Sequence, residues 1–282
     1  MKLKSTLALV LGLILLVSFG ACSYELPLAP STEQLQGMSD EETVTYLLSN
    51  FKGLDLPAVS YEMKAEYTLA DTVVLLTAQV ARKGDNLSVA TQTSVGDVSV
   101  PYSFTYVGGI LYAEALGVKV KGPAALTEAE AALQQQLPFT AENLGMFGQK
   151  TLLRSEDGSC HVVLSDPTVD VTGLLNLSAV AKDSEDVPET EDPSVETGIR
   201  FTKTTDFYVS LSFSPSSVLQ KMTVGGDVTV LDNGVELQMK MEVTYRILST
   251  DPAQISVAAP ADADQYQQAE TDTESSEDSE KE

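Results

Sequence analysis

Val235-Glu236-Leu237-Gln238-Met239-Lys240-Met241-Glu242-Val243-Thr244-Tyr245-Arg246-Ile247 alternates apolar and polar side chains without a break. Period two places the valines, Leu237, Met239, Met241, Tyr245 and Ile247 on one face of an extended strand and the polar residues on the other. At about 3.3 Å per residue, a strand of roughly 14 residues reaches about 46 Å. An antiparallel strand of that length twists and curls. The preceding Asp232-Asn233-Gly234 is a turn sequence, and Val218 to Val230 before it supplies a partner strand. Further upstream, Phe201, Lys203, Thr205, Phe207, Val209, Leu211 and Phe213 read as one face of another long strand.

The same alternation fills the first half of the chain. Val59, Tyr61, Met63, Ala65, Tyr67 and Leu69 alternate with Ser60, Glu62, Lys64, Glu66 and Thr68. Val73 to Arg82 meets Leu87 to Val95 across Lys83-Gly84-Asp85-Asn86, Val98 to Tyr106 follows Gly96-Asp97, and Ile110 to Leu116 follows Gly108-Gly109. Leu152 to Ser155 and Ser159 to Leu164 flank Glu156-Asp157-Gly158. These segments predict one extended, curved antiparallel sheet, whose apolar face needs a cover other than a second sheet of equal size.

Helices are the available cover. Ser39-Asp40-Glu41-Glu42 is a capping-box sequence ahead of Val44, Leu47, Leu48 and Phe51, spaced as an apolar stripe. Thr127 to Leu137, Glu142 to Phe147 and Pro167 to Lys182 read as further helical pieces, the last weakened by Gly173. The sheet carries more apolar side chains than such short helices can cover.

The ends of the chain have a different chemistry. Lys2 and Lys4 precede an apolar run, Leu7 to Phe19, which ends at Gly20-Ala21-Cys22. This is a secretory signal over residues 1–21. The junction resembles a bacterial lipobox, with Phe19 in the place where Leu is usual. The resemblance implies that Cys22 is lipidated and that the mature chain is held on the extracytoplasmic face of the cell membrane. Residues 22–38, with Pro27, Pro30 and Gly37, read as a tether, residues 39–260 as the folded domain and residues 261–282 as an acidic disordered tail. Deleting residues 265–282 is accordingly expected to leave the thermal midpoint unchanged. An acidic stretch from Lys182 to Gly198 reads as a solvated loop.

Charge and composition exclude several functions. The 282 residues hold 17 Lys+Arg against 41 Asp+Glu, a net charge of −24, so the long-range field repels polyanions and nucleic acid is not an expected partner. Aromatics at 6% with no Trp weaken a stacking platform, while 43% hydrophobic residues suffice for a core. Two cysteines and one histidine leave no zinc cluster or disulfide framework, and no metal or cofactor is expected. Cys160 and His161 invite a dyad, but neighbours on a strand face opposite sides and cannot share a proton. Gly-x-Ser-x-Gly and Walker-type loops are absent, and Gly225-Gly226 reads as a turn or bulge. No catalytic residue is nominated, and the chain is not expected to be an enzyme.

The lipobox, the capped N-terminal helix, the long meander interrupted by helices, Leu219-Gln220-Lys221-Met222-Thr223-Val224 and a closing Ile255 to Pro260 strand together resemble the LolA and LppX group of lipid carriers. That resemblance, over about residues 39–260, implies a mainly β (α+β) half-barrel of about eleven strands cupping an apolar cavity under helices. Met63, Tyr67, Phe104, Phe207, Phe213, Met222, Met239 and Met241 would suit such a cavity, since Met adapts to varied shapes and aromatics supply area. The same residues would equally suit an ordinary core. Two readings follow for a monomeric chain: a membrane-anchored lipoprotein that holds or carries an apolar ligand, or a scaffold, sensor or partner-binding lipoprotein with none.

Overall fold

The computed structural model describes residues 35, 37–51, 53–54, 56–126, 139, 141–172, 199–232 and 235–269. The signal segment, Cys22, nearly all of the tether, the Thr127–Leu137 piece, the Lys182–Gly198 stretch and residues 270–282 lie outside the described residues.

Among the described residues, twelve strands form one open sheet. They are β1 (Ala58–Leu69), β2 (Thr72–Lys83), β3 (Asn86–Val95), β4 (Val98–Val107), β5 (Ile110–Ala115), β6 (Val118–Pro123), β7 (Gln149–Arg154), β8 (Cys160–Ser165), β9 (Ile199–Phe213), β10 (Leu219–Asp232), β11 (Val235–Ser249) and β12 (Gln267–Gln268). Their spatial order is β12-β6-β5-β4-β3-β2-β1-β11-β10-β9-β8-β7. Two antiparallel meanders, β1 to β6 and β7 to β11, are thus joined by the β1–β11 ladder, with Met63 opposite Tyr245, Tyr67 opposite Met241 and Leu69 opposite Met239. The short β12 adds in parallel to the β6 edge. The turns joining β2–β3, β4–β5, β7–β8 and β9–β10 lie at one end of this sheet, here the lower end, by antiparallel alternation.

The inward face behaves as its period predicts over β1, β2 and β11, where buried positions recur every second residue. On β9 it does not. Two of the three register shifts against β10, at Gly225/Asp227 and Thr229/Val230, move the buried set to Phe201, Thr204, Phe207, Val209, Leu211 and Phe213, and leave Lys203 and Thr205 exposed. The predicted unbroken face of β9 is therefore corrected. Asp206, at φ +51°, sits in one of these bulges, opposite Gly225-Gly226. A Cβ on Gly225 would lie 2.7 Å from the ring of Tyr208, which crosses it to donate from Oη to Glu242 Oε2 at 3.1 Å.

Helix α1 (Asp40–Ser49) forms with its capping box in place: Ser39 Oγ accepts from Glu42 N–H, and Ser39 N–H donates to Glu42 Oε2 at 2.8 Å. Its face of Val44, Leu47 and Leu48 is buried. Arg154, at the end of β7, ties it down by donating to Asp40 Oδ1, the carbonyls of Leu35 and Met38, and Thr43 Oγ1 at 2.7–3.1 Å. Helix α2 (Ala141–Gly145) is the predicted Glu142 piece shifted by a residue or two, and it buries Leu144. Residues 167–171 are not helical. Asp166 accepts from the N–H and hydroxyl of Thr168 there, a side-chain turn that competes with helix formation.

The C-terminal end departs furthest from expectation. Ile255 to Pro260 is not a strand, although Ile255 is buried and its carbonyl accepts from Lys83 Nζ. Residues 261–269 are not a solvated tail: they strap across the outer face of β5 and β6. Tyr266 is buried edge-on against Tyr112 with centroids 5.5 Å apart, Lys119 bonds Asp262 and lies over the Tyr266 ring, and Lys121 Nζ donates to the Ala263 carbonyl at 2.6 Å. Ending the chain after Ala269 should leave the melting temperature within about a degree of the full chain. Ending it after Pro260 should lower it by several degrees, since about 2 kcal/mol of burial is lost and each kcal/mol moves Tm by about 2–4 °C in a domain this size. The strap is also acid-sensitive. The hydrogen bond from Lys119 holds the Asp262 carboxyl below its usual range, so this contribution is present above the unfolded carboxylate value of about 3.9 and is lost as pH falls through the lower folded value.

Candidate functional site

All eight residues nominated for the cavity lie on the inward face and in one continuous cluster, each 5% exposed or less. The β1–β11 ladder brings Met63, Tyr67, Met239 and Met241 together, while Phe207, Phe213 and Met222 follow on β9 and β10 and Phe104 comes from β4. Phe139 stacks on Phe207 at 6.2 Å and 27°. The apolar character of this face is reflected in Tyr67, whose phenol is pushed up to about 12 by burial and so stays neutral. At Met239 and Met241 the sheet is therefore covered by packed side chains.

Open space lies at the lower end. A pocket of about 450 Å³ is bounded by the last turn of α1, the start of β1, the β9–β10 turn and the residues just after β11. Its lining is mainly apolar and includes Leu47, Phe51, Leu56, Phe213 and Leu219, so one nominated residue, Phe213, connects it to the core cluster. Local sequence explains its walls. Asn50 ends α1 by donating from its amide to the Tyr46 carbonyl at 2.8 Å, and Gly53, at φ +57°, turns the chain back under the helix. On the opposite wall, Ser214-Pro215-Ser216-Ser217-Val218 closes the β9–β10 hairpin: Ser214 N–H donates to the Val218 carbonyl at 2.8 Å, and Val218 N–H donates to Ser214 Oγ at 3.1 Å. Sequence periodicity did not point to these residues, because a pocket between a helix end and a turn has no period; the Gly53 and Ser214–Val218 breaks were its only trace.

The inward face is also left open toward β6. Val98, Val118 and Val120 share the face of Phe104 by register, yet are 65%, 63% and 37% exposed. A groove of about 520 Å³ lies on the outer face of β1–β3 and β11, among Glu62, Lys64, Gln79, Gln92 and Arg246, and Met63 also contributes to its lining.

Cys160 and His161 take opposite sides of β8. The thiol is buried, which pushes its pKa up, and His161 lies between Ser212 Oγ at 3.0 Å and Ser210 Oγ at 3.3 Å. Among the described residues, no three His, Cys, Asp or Glu side chains come together as a metal site. No described helix is long and apolar enough to cross a membrane.

No model of a known family matches the chain, and no curated protein matches it. Among solved structures it is similar to a LolA superfamily protein from Nitrosomonas europaea, with 13% identity, 78% of this chain and 94% of that one covered, and a TM-score of 0.25. A porin-like protein from Bacteroides uniformis shares 9% identity over 68% of this chain and 96% of that one, with a TM-score of 0.20. A beta-barrel-like protein of a domain of unknown function from Brucella abortus shares 8% over 72% and 100%, at 0.19. Overlaps this low carry no argument. Among the described residues the class, a mainly β protein built on one open, curved, twelve-stranded sheet, rests on the strand order itself.

Proposed function

We propose that the chain is an extracytoplasmic lipoprotein, anchored through Cys22 at the cell membrane, which binds an apolar ligand at the lower end of its curved sheet. The observation that carries this reading is the apolar pocket of about 450 Å³ that opens between α1 and the β9–β10 turn and runs into the core through Phe213. Its size falls within the roughly 300–1,000 Å³ of small-molecule sites. The exposed valines of β4 and β6 extend the same apolar face toward the other edge. Binding, not chemistry, is the role this arrangement serves. The imidazole and thiol are on opposite faces, and the pocket holds no acid or base among its described lining residues. No nucleic-acid partner, metal or cofactor forms part of the proposal.

A second reading has its own support. Met222, Met239, Met241 and Phe207 are packed at 1–4% exposure, as in a plain scaffold, and a partner-binding or sensor lipoprotein with no bound ligand would look the same there. Native mass spectrometry of the full chain extracted from its host separates the two. A co-purifying apolar molecule is expected; its absence, with no uptake of an apolar fluorescent probe, leaves the scaffold reading. The anchor has its own test. Cys22→Ser should abolish acyl labelling and leave the precursor uncleaved at that site, and undiminished acylation in the mutant would refute the lipoprotein assignment.

A further inference from the structure

The strap at 261–269 is a ligand that the chain supplies to its own sheet edge. Tyr266 packs on Tyr112, Asp262 bonds Lys119, the Ala263 carbonyl accepts from Lys121 Nζ, and Gln267–Gln268 pairs with Val120–Lys121. That pairing is parallel and only two residues long, against a β6 edge of six. The link to the strap is short as well. Its last fixed point is Ile255, which is buried and whose carbonyl accepts from Lys83 at the end of β2; residues 255–260 are neither helix, strand nor turn. Lys119 lies on the cross-strand row of Gln79, through Glu114, Ser103 and Ala90. From Lys83 to Lys119 the chain therefore crosses four strand spacings of about 4.8 Å and four residues of about 3.3 Å, roughly 23 Å in all. Seven extended residues, from Ile255 to Asp262, span about 23–25 Å. The link has little slack, and a short, taut hinge favours exchange of the segment it carries between two copies of a chain.

We propose that the β6 edge also takes the strap of a second copy, giving a dimer in which the two straps are exchanged. The occupant follows from chemistry. A second copy brings the same acid, tyrosine and main-chain carbonyl at the same spacing, and Tyr112, Lys119 and Lys121 receive them as they receive their own. Every strap contact is kept, and only the link takes a new course. Direct pairing of two β6 edges is the alternative, and it would set Lys119 and Lys121 of one copy against those of the other, which like charges disfavour. Repulsion between two chains of net charge −24 opposes the encounter, so raised ionic strength favours the dimer.

A disulfide reads the exchange directly. A Cβ on Gly122 of β6 would lie 3.5 Å from the Ala269 Cβ, inside the range of about 3.5–4.5 Å that a disulfide needs. Two full-length chains, both with Cys22→Ser, carry Gly122→Cys and Ala269→Cys respectively. Cys160 is buried, so the introduced thiols are the accessible ones. The two are mixed in neutral detergent at about 0.5 M NaCl, to screen the repulsion, and oxidised. A covalent heterodimer is expected, with a yield that rises with concentration. Tyr266→Ala should act in opposite directions according to the chain that carries it. In the Gly122→Cys chain it unseats the resident strap and should raise the yield several-fold; in the Ala269→Cys chain it weakens the incoming strap and should lower the yield several-fold. A yield that Tyr266→Ala leaves unchanged in both chains would mark chance collision and overturn the proposal. No heterodimer, while a chain with both cysteines closes its own disulfide, would confine the strap to its own sheet. A double variant that fails to close would remove the strap from the β6 edge, and the exchange with it.

Discussion

Met241→Ala is expected to cost about 2–5 kcal/mol of stability, the range for deleting a buried Met side chain and leaving a void, measured by urea unfolding of the full chain. Met241 is 3% exposed, sits opposite Tyr67 on β1 and Gly226 on β10, and belongs to the continuous core cluster. Phe207→Ala should lie at the upper end of the Phe range of about 3–5 kcal/mol, because it also loses its stack on Phe139. The result bears on function. Were the mid-sheet methionines the wall of a ligand space, their truncation would cost less, since a side chain facing a void has fewer partners, and it would alter probe binding. A full core cost with probe binding intact places the ligand at the lower end, where Phe213 meets the pocket. A cost below about 1.5 kcal/mol at Met241 would return the binding site to the middle of the sheet.

Gly226→Ala should destabilise by about 2–6 kcal/mol, with backbone strain and overpacking each contributing on the order of 1–3 kcal/mol. Gly226 is at φ +157°, and a Cβ there would lie 2.9 Å from Phe207 Cα and 3.2 Å from the Thr205 carbonyl, so backbone and not a flexible side-chain tip would have to move. The bulge it permits shifts the register by which Phe207, Val209 and Leu211 turn inward. Loss of the bulge would therefore reach the core. Equal denaturation midpoints for Gly226→Ala and the wild type would show that β9 can shift to admit the methyl group.

The two glycines show where reading a sequence stops. Gly225-Gly226 is legible as a turn or a bulge, and each reading satisfies the residues. The choice depends on which strand lies alongside and whether its Tyr208 ring needs to cross, a contact between residues 17 positions apart. The same limit applies to β6 and β12, which periodicity did not reveal. Val118-Lys119-Val120-Lys121 alternates over too few residues to stand out, and Gln267–Gln268 is a strand only because β6 offers an unpaired edge.

The acidic C-terminus misled for a related reason. Composition averages over a stretch, and the strap at 261–269 is held by a few single contacts, Tyr266 on Tyr112 and Lys119 with Asp262, that composition cannot register.

By itself the sequence determined the kind of protein this is. Unbroken period two over the long strands, turn residues between them and a capping box at Ser39 depend on local physics, namely side-chain alternation and the satisfaction of nearby backbone groups, and these hold whatever packs against them. Tertiary structure alone decided that β1 pairs with β11 and closes two meanders into one sheet, and that the eight nominated residues pack as a common core. It also decided that a pocket lies between a helix end and a hairpin turn. Those outcomes depend on which distant segments meet and how completely they fill the space between them, and a linear pattern of residues carries the first only through pairing energies and the second only through packing.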